Sequence, residues 1–230
     1  MFIGVGNPLP RIANLPGASR PGGGGGGGGG DLAQVDNLYS FEFDGVESRF
    51  QTDSITIGNT FTFSLWLNAN SFAANVVFLG SPNYFIPGFN GNFIIRRKSN
   101  KFQFYSYNSN SAGTEENIEG TFSTSANQWY HVVLTNDATT AVFYINGSPI
   151  TTTGVNTKSL DDLTNGLIIG DGDFRVGTGN TGWNGKIDEV GVWNTALTAA
   201  NVQNIYNATT TGKTADLSSL SPVAWYRMGD

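Results

Sequence analysis

The sequence predicts an all-β sandwich or barrel, and three observations carry that prediction. Two stretches, Thr60–Asn68 (TFTFSLWLN) and Lys101–Tyr107 (KFQFYSY), alternate apolar and polar residues with a period of two. Asn-Gly and Asp-Gly pairs that suit tight hairpins recur at 90–91, 146–147, 171–172 and 184–185. Only one stretch, after Thr198, carries apolar residues at helical spacing.

Taken in order, strands are expected at 38–44, 60–68, 75–80, 92–97, 101–107, 118–123, 128–136, 140–146, 167–171, 173–177, 186–193 and 223–228. In the second of these, Phe61, Phe63, Leu65 and Leu67 share one face; Thr62, Ser64, Trp66 and Asn68 share the other. In 101–107, Phe102 and Phe104 face one way, and Lys101, Gln103, Tyr105 and Tyr107 the other. In KIDEVGVW, strict alternation groups Ile187, Glu189, Gly191 and Trp193 against Asp188, Val190 and Val192. Thr198 is a good N-cap for a helix running to about Ala208 through Ala199, Val202, Ile205 and Tyr206, with Leu197 placed as a hydrophobic staple. Many short strands separated by regular turns mean a sandwich or barrel, and one late helix is a capping element rather than a crossover.

The composition divides at residue 30. Of 230 residues, the first 30 hold 12 of the 31 glycines and 4 of the 8 prolines, with Arg11 and Arg20 and no acid. The remaining 200 hold 10 basic and all 18 acidic residues, a net charge of −8. Residues 22–30 are nine consecutive glycines. As a flexible linker they would reach roughly 15–18 Å root-mean-square, or about 30 Å fully extended. Residues 1–21 read as an extended anchoring arm: its prolines oppose a helix, and Phe2, Ile3, Val5, Leu9, Ile12 and Leu15 could seat in a partner's groove. On this reading the glycines form a spacer held by neighbouring chains, and close packing of glycine strands favours a homo-oligomer, a trimer in particular.

Composition also excludes. With no cysteine there is no disulfide framework, thiol nucleophile or thiolate zinc site. A single histidine, His131, rules out multi-histidine metal sites and argues against Ser-His-Asp chemistry; its place in an inner-strand pattern reads as a core histidine. Net charge −6 and an isoelectric point near 4.7 argue against nucleic acid as a partner. Arg96, Arg97, Lys98 and Lys101 do cluster, and the expectation there is a solvated hairpin turn, with an anion site as the alternative. No apolar run approaches the ~18–20 residues of a membrane helix. The start does not read as a signal peptide, because its basic residues follow its apolar ones and prolines interrupt them; the sequons at Asn146 and Asn207 are then coincidental.

Three ordered segments carry a family resemblance. They are Phe43-Asp44-Gly45 followed by Phe61–Leu67; Gln128–Thr135 (QWYHVVLT) followed by Val142–Gly147 (VFYING); and Trp183–Asn194 (WNGKIDEVGVWN) followed by Ala196-Leu197-Thr198 and the helix ending at Tyr206-Asn207. In this order and spacing, over about residues 37–209, the chain resembles the concanavalin A-like jelly rolls of laminin-G type. The resemblance implies a two-sheet antiparallel jelly-roll sandwich with one short C-terminal helix, here preceded by the extended arm (31–209 after 1–21 and 22–30). It places Trp66, Trp129, Trp183 and Trp193 in core or edge packing. It also implies a structural calcium on Asp188, with Asp44 and Gly45 near it, since carboxylate and carbonyl oxygens suit a hard cation. The alternative is that Asp188 accepts backbone N–H groups and no metal is present. The terminal segment 210–230 ends in Ser221–Asp230 (SPVAWYRMGD), which resembles the strand that commonly opens such a jelly roll. It either closes the sheet from the C-terminal side or adds a strand to a neighbour.

Some members of this fold cleave β-glucans with two glutamates on one strand, about 5–5.5 Å apart in retaining enzymes. Here Glu42-Phe-Asp44 lacks the second glutamate, and Glu115, Glu116 and Glu119 read as a polar loop, so no enzyme activity is expected. Sugar binding needs aromatics flanked by hydrogen-bonding side chains. The face Lys101, Gln103, Tyr105 and Tyr107, with Arg97 from the neighbouring strand, fits that need; the alternative is an ordinary solvated strand face. Arm, glycine run, jelly roll and terminal YRMGD together also resemble structural proteins of tailed bacteriophages. The expectation is therefore a virion protein (capsid decoration, head fibre or tail appendage), assembled in the host cytoplasm, that contacts other virion proteins through its arm and surface glycans through its jelly roll. The alternatives are a carbohydrate-binding module of a bacterial surface or secreted protein and, behind it, a glycosidase.

Overall fold

The computed structural model describes residues 32–46, 48–72, 75–82, 92–107, 116–157, 159–160, 163, 165–171 and 182–229. The anchoring arm, the glycine run, the strand expected at 173–177 and the turn at 90–91 lie outside the described residues, as does Gly172 of the turn at 171–172. In chain order the strands are β1 (Gln34–Asp36), β2 (Phe41–Asp44), β3 (Phe50–Gln51), β4 (Phe61–Ala69), β5 (Asn75–Gly80), β6 (Asn92–Lys98), β7 (Lys101–Tyr107), β8 (Glu116–Thr121), β9 (Trp129–Asn136), β10 (Ala141–Ile145), β11 (Ser148–Pro149), β12 (Thr152–Thr153), β13 (Ile168–Ile169), β14 (Asn184–Trp193), β15 (Lys213–Ala215) and β16 (Ala224–Tyr226). One helix, α1 (Ala199–Ala208), precedes β15, and a 3-10 turn spans Leu217–Leu220.

Two antiparallel sheets face each other. The first runs β11-β10-β9-β4-β14-β16, with β2 also pairing β14; the second runs β12-β8-β7-β6-β5-β13-β3. Between them lies an apolar core rich in phenylalanine. Phe61, Phe63, Phe93 and Phe104 are fully buried and pack with ring centroids 5.1–5.4 Å apart. The alternation read for β4 holds: Phe61, Phe63, Leu65 and Leu67 enter this core, while Trp66 joins a separate cluster on the opposite face.

That opposite face is covered too, which is why Phe61–Leu67 is buried at every position. Helix α1, β15 and the 3-10 turn lie on it. Val133, Tyr144 and Trp193 of the sheet pack with Leu197, Val202, Ile205, Ala215 and Leu217 of the cover. The helix begins where expected, with Thr198 Oγ1 accepting from the Asn201 N–H at 3.2 Å.

Three expectations are corrected. Asn184-Gly185 is not a turn: it opens β14, where Gly185 (φ +143°) pairs with Phe43 on one side and Ala69 on the other. A Cβ there would sit 2.1 Å from the Asn68 carbonyl oxygen, so this glycine permits close backbone approach rather than reversal. Strict alternation in β14 also fails, because the register shifts between Asp188 and Gly191 and Glu189 has φ +50°. The bulge changes the phase. Ile187, Val190 and Val192 all enter the core, whereas Trp193 joins the α1 side. Finally, Glu116 and Glu119 lie on β8 and not in a loop.

The terminal strand closes its own sheet: β16 pairs with β14 at Val190↔Tyr226, Gly191↔Trp225 and Val192↔Ala224. β2 pairs with the same side of β14 at Asn184–Ile187. The two short strands thus share one edge, and the bulge falls in the gap between them. There Glu189, 2% exposed, accepts from Trp225 Nε1 at 2.6 Å and meets Arg227 Nε at 3.4 Å. The first strand joins the same clasp, as Arg227 donates to the Asp36 carbonyl and β1 pairs with β15.

Candidate functional site

The outer face of the second sheet carries three cross-strand rows of β6–β8. Lys98 lies opposite Lys101, and Lys101 opposite Thr121; Arg96 lies opposite Gln103, and Gln103 opposite Glu119; Ile94 lies opposite Tyr105, and Tyr105 opposite Asn117. Side chains on one face of neighbouring strands sit within reach of each other, and here they lock into a ladder. Lys101 Nζ donates to Glu119 Oε2 at 2.6 Å, Gln103 Nε2 donates to Glu119 Oε1 at 2.6 Å, and Arg96 Nε donates to Gln103 Oε1 at 2.6 Å. Asn117 Nδ2 adds a bond to Glu119 Oε1 at 3.0 Å. The Lys101 hydrogen bond, followed by that of Asn117, holds the Glu119 carboxyl below the usual carboxylate range. Arg96 lies over the Tyr105 ring, 5.9 Å from its centroid.

This face keeps most of the expected sugar-contact residues and changes one. Lys101, Gln103 and Tyr105 do share it. Arg97 does not: it lies opposite Phe102, on the core-facing side, and stacks over Phe72 at 4.1 Å. Its neighbour Arg96 takes the place expected of it. In a two-residue period, a one-residue error moves a side chain to the opposite face. Gln103, expected to be solvated, is 2% exposed and serves as the middle rung of the ladder. Tyr107 closes β7 opposite Asn92, and its side chain lies outside the described residues. Asn117 was missed as a member because the expected strand began only at 118, and Glu119, inside that strand, because it was grouped with the polar Glu115 and Glu116, although the alternation around Ile118 was available as a signal.

The residues implied for calcium do not converge. Asp44 lies opposite Asn184, whereas Asp188 is four positions further along β14, opposite Trp66. That separation is about 13 Å of strand. Asp44 Oδ1 instead accepts from the N–H groups of Val46 and Ser48, and Asp188 Oδ1 from the N–H of Glu189 at 2.8 Å. Gly45 (φ +78°) turns the chain away after β2. Among the described residues no three of His, Cys, Asp and Glu are grouped to hold a metal ion.

No glutamate pair forms on β8 either. Glu119 is on the outer ladder, while Glu116, three positions away, is on the other face and bonds Thr157. His131 is fully buried. Its ring stacks on Trp66 at 5.0 Å and on Tyr206 of α1 at 6.2 Å, its Nε2 meets Ser64 Oγ at 2.9 Å, and burial lowers its pKa from 6.5 to about 3. Trp66, Trp129, Trp183 and Trp193 are all buried, as expected.

Residues 44–203 match a laminin-G-type family model, described as the concanavalin A-like lectin/glucanases superfamily. No curated protein matches the sequence. Several solved structures share the fold. A protein from Bacteroides ovatus proposed to bind carbohydrate superposes with TM-score 0.60 at 19% identity; the match covers 86% of this chain and 52% of that one, so this chain spans about half its length. The CBM40 of the Ruminococcus gnavus IT-sialidase, solved with α2,3-sialyllactose, gives 0.57 at 14% identity over 77% of this chain and 99% of that one. Domain 4 of an extracellular arabinanase from Geobacillus stearothermophilus, in complex with arabinotriose, gives 0.54 at 20% identity over 76% and 81%.

Proposed function

The chain belongs to the concanavalin A-like lectin/glucanase superfamily, and from that premise we propose that it is a carbohydrate-binding jelly roll without catalytic activity. The observation that carries this reading is the ladder Lys101–Glu119–Gln103–Arg96 beside Tyr105. A sugar offers hydroxyls and flat C–H faces, so a protein site for it sets fixed donors and acceptors around an aromatic ring. Side chains already bonded to one another lose little rotamer freedom when a ligand arrives. The solved structures that share the fold and hold arabinotriose or sialyllactose support the reading. A glycan array probed with the whole chain tests it: binding is expected, and it should be lost on Tyr105→Ala while thermal unfolding stays cooperative. A blank array, or binding unchanged by Tyr105→Ala and Lys101→Ala together, would refute it.

A second reading concerns where the module is displayed, and one observation favours it. Leu32, the first described residue, packs into the layer under α1, on the outer side of the first sheet. The ladder is on the outer side of the second sheet. Leu32 therefore lies on the side of the body away from the ladder. We infer that residues 1–31 anchor oligomeric copies, trimers in particular, to a larger assembly of virion type, leaving the ladder outward. Deleting residues 2–30 should leave glycan binding intact and abolish incorporation into particles. Incorporation without the segment would leave the alternative, a module of a bacterial surface or secreted protein.

A further inference from the structure

We propose that the outer face of the second sheet takes an acidic saccharide, one bearing carboxylate or sulfate, with Lys98 and Lys101 as its anion contacts. This rests on the carbohydrate reading above and narrows it to a class of ligand. Lys98 and Lys101 are directly opposite each other across the β6–β7 hairpin, joined only by Ser99 and Asn100. Like charges in that position are destabilising. Lys101 is offset by Glu119 at 2.6 Å; Lys98 is exposed and makes no ion pair among the described residues. With Arg96 the face holds three cations against one carboxylate, Glu119, among the described residues. It does so on a chain whose net charge is −6. A neutral sugar would gain hydrogen bonds from Lys98 but would leave the repulsion between Lys98 and Lys101 in place. An anionic group between the two ammonium groups would relieve their repulsion and gain charge-assisted hydrogen bonds. Glu119, bonded by Lys101, Gln103 and Asn117, fixes the ladder so that its cations stay on this face.

An array of oligogalacturonate and chondroitin sulfate fragments, beside their methyl-esterified and desulfated counterparts, tests this with the whole chain. Binding is expected for the acidic members, about tenfold or more above their neutral counterparts, with the advantage shrinking as salt rises. Lys98→Glu should lower affinity for the acidic members by about tenfold or more, a larger drop than for any neutral member, and unfold at the same temperature as the wild type or higher, because position 98 then opposes Lys101 with opposite charge. Lys98→Gln gives the same direction with no new charge. Equal binding of neutral and acidic members would overturn the inference and leave the carbohydrate reading standing. No binding to either, on an otherwise blank array, would remove both. A DNA duplex bound as tightly, and as sensitive to Lys98→Glu, would also overturn it, since the face would then be a general polyanion surface.

Discussion

Replacing His131 with glutamine should remove a pH dependence that the fold imposes. In the folded chain this imidazole is fully buried between Trp66 and Tyr206, and burial lowers its pKa to about 3. In the unfolded chain its pKa returns to 6.5. Above pH 6.5 both states are neutral and nothing is lost. As pH falls from 6.5 towards 3, the unfolded chain takes a proton that the folded chain refuses, so stability declines across that window. Between pH 7 and pH 5 the loss works out to about 2 kcal/mol. For a body of this size that is about 4–8 °C in thermal midpoint. His131→Gln keeps an amide able to bond Ser64 but does not titrate. Urea unfolding of both proteins at pH 7 and pH 5 is the assay, and the wild type should lose about 2 kcal/mol more than the variant. All carboxylates are common to the two proteins, so their contributions cancel. Parallel pH curves, or an imidazole resonance that titrates near 6.5 in the folded protein, would refute the reasoning.

Two further outcomes follow from backbone geometry. Gly185→Ala should destabilise by about 3 kcal/mol, because its Cβ would meet the Asn68 carbonyl oxygen at 2.1 Å in mid-sheet, whereas Gly58→Ala, with nothing within 4 Å of the new Cβ, should be near neutral; equal urea midpoints would contradict this. Thr198→Ala removes the bond to the Asn201 N–H and should cost about 1 kcal/mol, seen as faster amide exchange concentrated in α1.

Where the sequence misled, it did so through single-residue phase. The faces of β4 were legible because its nine residues alternate without interruption, β9 keeps step with them, and the bulge in the pairing with β14 lies on β14. The faces of β14 were not, because the bulge at Asp188–Glu189 inserts half a period that no residue type announces. Arg96 and Arg97 pose the same problem: adjacent arginines look equivalent in a list, yet one faces the ladder and the other stacks on Phe72. The calcium residues raise a different problem, since Asp44 pairs with Asn184 and not with Asp188, a register that no short run of residues announces.

By itself the sequence determined an all-β sandwich or barrel, most of its strands, its capped helix and the aromatic core. Those depend on periodicity, turn chemistry and capping, which are local and written in neighbouring residues. Only the tertiary structure decided which edge the last strand takes, that a helical layer buries the outer face of the first sheet, and that Lys98, Lys101, Gln103, Glu119 and Arg96 form one surface. Those are matters of register between strands distant in sequence, and register is set by the packing of whole faces rather than by any short run of residues.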